Sequence, residues 1–365
     1  MIRAVDIIVV GAGIVGASVA YHAAASGAQV VLLDASLPAS GVTGTSFAWI
    51  GGPGGRDAAD GSTPLRQAAL ENWSRLEREV PDVQVRWIGS LAWGEGALHD
   101  LDALGPDERV VDEAHVRERE PNLRIPPQRA VLKATDGAVD PITVTEALLQ
   151  EARRHGADVR LGVAVTRLRV QGGAVVGLDT SSGFVASRTV VLATGVGTTL
   201  LCAPLGVELP DTPAPALLLR FTAPIGLVRT LVTCPQFEAH QSGGSLLVAR
   251  EYSGEITQGE LRRTGQDTAR RLSAAFQGGQ DARLIDVRVG QRPMPTDGLP
   301  IIGPLPDLPG VYVAVMHSGI TLGPVTGRLV ATELLEAVPA AQLNGVRPGR
   351  FRLPYQEPRP FHPSR

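Results

Sequence analysis

Lysine is almost absent from this chain of 365 residues: Lys133 is the only one, and every other basic residue is arginine. Chemistry that needs a lysine amine must use Lys133 or do without. Cysteine is nearly as scarce. Cys202 and Cys234 are too few for a disulfide framework and stand in no C-x-x-C or Cys/His cluster, so both read as buried free thiols and no metal site is expected. The net charge is −3, with acidic and basic residues mixed along the chain, which excludes a nucleic-acid footprint and a polybasic membrane segment. Long apolar runs are missing too. The N-terminal one is short and broken by glycines, and no basic region with a cleavage site precedes it. The expectation is a cytoplasmic protein with no integral membrane segment, long enough for two domains.

What is present starts with residues 5–34, VDIIVVGAGIVGASVAYHAAASGAQVVLLD. Ile7 to Val10 form a buried-strand run, Gly11, Gly13 and Gly16 follow in G-x-G-x-x-G spacing, Ile14 to Ala25 suit a tightly packed helix, and Val30 to Leu33 lead into Asp34. The glycines act separately. Gly11 permits the tight turn, Gly13 lets the backbone approach a pyrophosphate, and Gly16 allows close helix–strand packing. A helix N-terminus offers unpaired N–H groups and partial positive charge to phosphates. Asp34 is placed to accept hydrogen bonds from ribose hydroxyls, and an acid there disfavours a 2′-phosphate. The pattern predicts a dinucleotide and leaves NAD against FAD open.

Further on, Thr63 or Ser62 can cap a helix in which Leu65, Ala69, Trp73, Leu76 and Val80 recur at helical spacing. Residues 83–94 alternate like a strand. Asp140 and Pro141 open a helix to about Arg154, stopped by Gly156. From Pro213 to Val289 the pattern is mostly alternating strands with one amphipathic helix near 258–275, and the strand carrying Ile285, Val287 and Val289 delivers Gln291 and Arg292 at its end. The chain continues through strand GVYVAV and loop MHSG into a helix over 320–335. This order predicts an interleaved α/β architecture. A nucleotide domain comes from residues 1–85, 140–210 and 290–345, a sheet-rich α+β substrate domain from 86–139 and 211–289, and a Pro-rich tail from 346–365.

Three further segments, VVLATG, QRPMPTDGLPIIGP and VYVAVMHSGITLGPVTGRLVATELL, join the opening fingerprint. Together they resemble the FAD-dependent D-amino-acid oxidase superfamily over about residues 1–340, with glycine oxidase and the D-amino-acid dehydrogenases as the nearest branch. The resemblance implies a Rossmann-like FAD domain of glutathione-reductase type and non-covalent FAD, because Met294-Pro295-Thr296 stands where sarcosine oxidase has its attachment cysteine. It implies that Gly11, Ala12, Gly13, Ile14, Val15 and Gly16 serve the pyrophosphate loop and Asp34 the ribose. Thr43, Thr45 and Ser46 match the second phosphate and ribityl loop, Val165 the adenine contact, and Gly195 the A-T-G turn. Gly319, Ile320, Thr321 and Leu322 would lie along the pyrimidine side of the flavin, where the helix dipole favours negative charge.

Arg292 matches the family arginine that clamps a substrate carboxylate, a role suited to a rigid guanidinium fork. The alternative is an ion pair with a nearby acid such as Asp297, which otherwise reads as a turn former. His317, in the loop expected near the flavin, is a candidate for catalysis or for plain structure. Trp49 matches a pocket border or a core position. Lys133 lies where the resemblance offers no oxygen-activating lysine, which argues against oxygen as direct acceptor. The implied activity is oxidation of the C–N bond of a small amino acid or N-substituted glycine to an imine. The rival reading is a flavoprotein subunit of a hetero-oligomeric amino-acid, hydroxyproline or sarcosine dehydrogenase, with a partner subunit or electron-acceptor protein. A flavin hydroxylase would need a Gly-Asp-Ala motif where MHSGIT stands, and the same Gly loop argues against an NAD-binding sensor.

Overall fold

The computed structural model describes residues 5–53, 61–98, 104–105 and 107–351; of the expected Pro-rich tail, the part from 352 onward lies outside these. Ile7–Val10 forms the interior of a six-stranded sheet, flanked by Val30–Asp34 and then Asp158–Leu161 on one side, and by Val190–Leu192, Val311–Val315 and Ile301–Pro304 on the other. All pairings are parallel except that of Ile301–Pro304. Apolar strands of this kind are buried on both faces. Ile7 and Val9 accordingly enter one core, with helices Ile14–Ala25, Thr63–Glu79, Pro141–Arg154 and Gly319–Glu336. Ile8 and Val10 enter another, beneath a small antiparallel sheet of Val165–Gln171, Ala174–Thr180 and Gly183–Ala186.

The helix starts follow the expected chemistry. Asp140 accepts from Ile142 N–H and Thr143 N–H at 3.0 and 2.9 Å, and Gly156 takes φ +93° after the helix ends. Thr257 and Glu260 form a capping box at the head of Gln258–Ala275. The helix Gly319–Glu336 follows Ser318, which is held at φ 34°.

An eight-stranded sheet draws on both stretches read as insertions. Its order is Arg283–Pro295, Asp211–Thr222, Ser245–Glu251, Phe237–Ser242, Leu231–Cys234, Ser90–Ala92, Arg129–Lys133 and Glu108–Asp112. One face covers a third core, which includes Leu132, Leu217, Leu219, Phe221, Val248 and Leu272. Two local expectations are corrected here. The strand read over 83–94 is confined to Ser90–Ala92, because Gly89 takes φ +69° and Arg86 bridges to Ala138 in a different pairing. The strand read as delivering Gln291 and Arg292 at its end runs on to Pro295, since Asp211–Thr222 pairs with it along its whole length. Among the described residues no helix is long and apolar enough to cross a membrane.

Candidate active site

A cavity of about 1120 Å³ is walled by residues of both large sheets. It exceeds the usual range for a small-molecule site, about 300–1,000 Å³. It begins where the first strand meets the first helix. Gly11 stands at φ +109° with its Cα against the next strand, and a Cβ there would lie 2.5 Å from the Ala193 carbonyl oxygen. A Cβ on Gly16 would lie 2.0 Å from the Gly11 carbonyl oxygen, so the glycines allow this approach as predicted. Gly13, Ile14 and Val15 line the cavity beside this turn.

Asp34 closes the same end. Its carboxylate accepts from Ala12 N–H at 2.6 Å and Ser36 N–H at 2.7 Å, which fixes its orientation and leaves acceptor capacity toward the cavity. Thr43 Oγ1 accepts from Ile14 N–H at 3.2 Å, satisfying one open amide of the helix start. The loop carrying Thr43, Thr45 and Ser46 passes so close to the eight-stranded sheet that a Cβ on Gly290 would meet Thr45 Oγ1 at 2.6 Å. Val165 and Gly195, the latter at φ +55°, line the wall, as do Gly319, Ile320 and Thr321. Thr321 Oγ1 donates to Trp49 O at 3.1 Å and ties the final helix to the loop around Gly51.

Of the residues singled out in the sequence, Ala12, Gly16 and Leu322 do not line the cavity. The Ala12 amide is spent on Asp34, Gly16 is packed against Gly11, and Leu322 is buried in the helical core. Trp49 does line it, and its Nε1–H donates to Asp136 at 2.9 Å.

Arg292 faces the cavity from the Arg283–Pro295 strand; among the described residues its one side-chain hydrogen bond is from Nε to Ala214 O at 3.3 Å. The alternative pairing with Asp297 does not occur. Asp297 binds Arg350 at 2.7 Å and accepts from Leu299 N–H at 3.1 Å, the turn-forming role expected of it. His317 lines the cavity, and burial, aided by the Arg292 and Arg66 charges, pushes its pKa down to about 4. A neutral imidazole is thus held there at physiological pH.

Sequence reasoning missed Asp136, Glu108, Arg66 and Glu238, all of which line the cavity, and it found no place there for Lys133, which lines it too. The reading that Lys133 is poorly placed is corrected: its strand floors the site, and Nζ donates to Gly52 O at 2.9 Å and Pro53 O at 3.0 Å. The available signal was a charged residue at the end of the apolar run RAVLK, but without the strand register nothing said which face it takes. Neither cysteine lines the cavity, and burial pushes the Cys202 thiol up to about 12.

A glycine-lined helix start, a nearby carboxylate and a second helix N-terminus fit a dinucleotide with a redox-active ring at the far end. Comparison with known proteins agrees. Residues 6–333 match the family described as DAO, FAD dependent oxidoreductase. The chain is 26% identical over 343 residues to a glycine oxidase of Bacillus licheniformis, covering 90% of this chain and 93% of that one. It is 26% identical over 388 residues to a hydrogen cyanide synthase subunit of Pseudomonas protegens, covering 90% of this chain and 92% of that one. Among solved structures, an L-amino acid deaminase of Proteus vulgaris superposes with a TM-score of 0.85 at 22% identity, over 96% of this chain and 95% of that one, a likeness of fold.

Proposed function

The chain belongs to the DAO family of FAD-dependent oxidoreductases, and from that premise we propose that it oxidises the C–N bond of a small amino acid or N-substituted glycine to an imine. The observation that carries this reading is Arg292, a guanidinium on the cavity wall whose terminal nitrogens have no hydrogen bond among the described residues. A planar fork left open in a cavity suits a carboxylate, which it binds through two parallel hydrogen bonds. Glycine oxidases and an L-amino acid deaminase among the similar proteins support a substrate of that class.

In this reading the FAD is held by Gly11, Gly13, Ile14 and Val15 at its phosphates, Asp34 at its ribose, Val165 at its adenine, and Thr43, Thr45, Ser46 and Gly195 along its middle. Gly319, Ile320 and Thr321 take the pyrimidine side. Bound FAD supplies the two-electron acceptor for the oxidation. The rest falls to the chain: Arg292 orients the substrate, His317 stays uncharged beside it, and the floor of the eight-stranded sheet limits its size. The six-stranded unit then serves the cofactor and the eight-stranded sheet the substrate. Similarity to a protein named as a subunit supports a second reading, that a partner chain carries the electrons onward; size-exclusion of the protein purified from its native host checks it.

Because no thiol lines the cavity, acid precipitation of the yellow protein should release FAD into the supernatant. Anaerobic mixing with a panel of amino acids and N-methylated glycines should bleach its absorbance. Colour retained on the denatured chain would refute non-covalent binding. A fully oxidised spectrum with every carboxylate-bearing amine, alongside bleaching by some other donor, would refute the substrate class.

A further inference from the structure

The strand register decides what a ligand meets on the cavity floor. Directly paired residues of neighbouring strands project to the same face, and so do residues two apart on one strand. Glu238 pairs with Ala249, Ala249 with Leu218, and Leu218 with Arg288, while Ala216 pairs with Gly290 and Ala214 with Arg292. Glu238 and Arg292 therefore point to one face, three strand steps apart in the sheet order. Three neighbours on that face, Ala216, Ala249 and Gly290, are small and also line the cavity. Together with Leu218, on the same face, they form the cavity floor between the two charged side chains.

The other carboxylates of the cavity each hold donors of the chain. Asp34 holds two backbone amides, Asp136 accepts through Oδ2 from Trp49 Nε1 at 2.9 Å and Ser90 Oγ at 2.7 Å while its Oδ1 has no partner among the described residues, and Glu108 accepts from Gly105 N–H at 2.8 Å. The Glu238 side chain has no hydrogen bond or ion pair among the described residues, while its backbone is held in the strand ladder. Burial pushes its carboxyl above the usual range, and the Arg292 charge pulls it partly back. Glu238 is half-buried and lines the cavity, so a ligand that brings a cation or a donor would supply the partner its carboxylate lacks there.

Resting on the amino-acid reading above, we propose that Glu238 is the second charged contact of the substrate: it pairs with the ammonium while Arg292 pairs with the carboxylate, and it then accepts one ammonium proton. An N–H bond breaks and its electron pair stays on nitrogen, an O–H bond forms on Glu238, and the amine is left neutral. No electron changes hands in this step. The neutral amine has the lone pair that oxidation of the adjacent C–H to an imine requires.

The remaining charged groups around the cavity have other duties. Lys133 donates to the Gly52 and Pro53 carbonyls and lies 3.8 Å from Glu108. Arg66 binds Ser62 Oγ at 3.2 Å, and His317 is held neutral. His240, two residues along the strand of Glu238, is fixed between Phe47 O at 2.7 Å and Arg86 at 2.9 Å.

The test uses the FAD-loaded protein and two probes of one shape: sarcosine, which carries the ammonium, and methoxyacetate, which replaces it with an ether oxygen. Binding is read from perturbation of the flavin spectrum, and the rate of anaerobic bleaching by sarcosine is followed against pH. Glu238→Gln should weaken sarcosine at least tenfold and leave methoxyacetate within twofold, whereas Arg292→Ala should weaken both. In wild type the bleaching rate should fall as pH drops through the ionisation of Glu238. Glu238→Gln should lose that limb, and Glu238→Asp should keep it. If Glu238→Gln weakens both probes alike, or neither, the proposal fails while the amino-acid reading stands. Wild type that holds FAD and binds neither probe would overturn both together.

Discussion

Arg292 is set in a strand whose backbone is paired on the Asp211–Thr222 side, so the base of the side chain is fixed before any ligand arrives. Little further entropy is lost when the guanidinium closes on a carboxylate. A charge-assisted hydrogen bond contributes about 1.5–3 kcal/mol, so removing the fork should cost at least about tenfold in affinity. Arg292→Ala should keep FAD and lose most turnover of amino acids, while amines without a carboxylate change far less. Arg292→Lys should recover only part, since an ammonium cannot reproduce two parallel bonds. Steady-state kinetics of the three proteins on one carboxylate substrate checks this; equal constants for wild type and Arg292→Ala would remove Arg292 from the site. Arg292 could be read from its motif. Glu238 could not, because FEAHQS carries no motif and its role depends on which face the strand turns to the cavity.

Two helices aim their N-termini at that cavity, and how closely they cross is set by glycine. The Gly319–Glu336 helix lies against Ile14–Ala25 at Gly323 and Gly327, where a Cβ would meet Ile14 Cγ1 at 3.1 Å and Ser18 Oγ at 2.2 Å. The Gly327 position also faces Ser18 backbone at 2.5 Å, so a rotamer change cannot relieve the contact. Overpacking of this kind typically costs on the order of 1–3 kcal/mol, against a gain of at most about 1 kcal/mol in helix propensity. Gly327→Ala should therefore lower the melting temperature and weaken FAD binding by pushing the two helix starts apart. Gly259→Ala, in a helical position whose nearest neighbour would be 3.9 Å away, should do neither. A calorimetric scan with and without added FAD separates the two. At this scale the helices were readable from capping and periodicity, as with Asp140 and Thr257. The strand over 83–94 was not, because its alternation matched a strand while Gly89 turned the chain out of line.

The folded chain also keeps several histidines neutral. Burial pushes His22 down to about 3, with Arg75 and Arg328 adding, and His240 down to about 4, with Arg86 adding; His317 also stands near 4. For each, the unfolded form takes up a proton near pH 6.5 while the folded form resists until much lower pH. The unfolded state thus binds more protons in that window, and stability is lost as pH falls from about 6.5 toward the folded value. His22→Leu removes one such group. The difference in unfolding free energy between His22→Leu and wild type should be flat above about pH 7.5. Below pH 6.5 it should move in favour of the variant by about 1.4 kcal/mol per pH unit. Urea unfolding of both proteins at a series of pH values reads this directly, and a difference that stays constant down to pH 4.5 would show His22 protonating freely in the fold.

The nucleotide half of this protein was legible in its residues alone. Strand, glycine loop, helix and acid are contiguous over residues 5–34, and each glycine acts on neighbours a few residues away or on the ligand itself, so local spacing carries the information. The arginine could be matched because it sits in a fixed segment. The floor of the pocket depends instead on the folded arrangement. Glu108, Lys133, Glu238 and Arg292 come from strands separated by long stretches of chain, and they share a face only because eight strands pair in one register. A shift of one residue in any of these strands would turn its charged group to the opposite face. That register is fixed by packing of the third core, whose contacts span the chain.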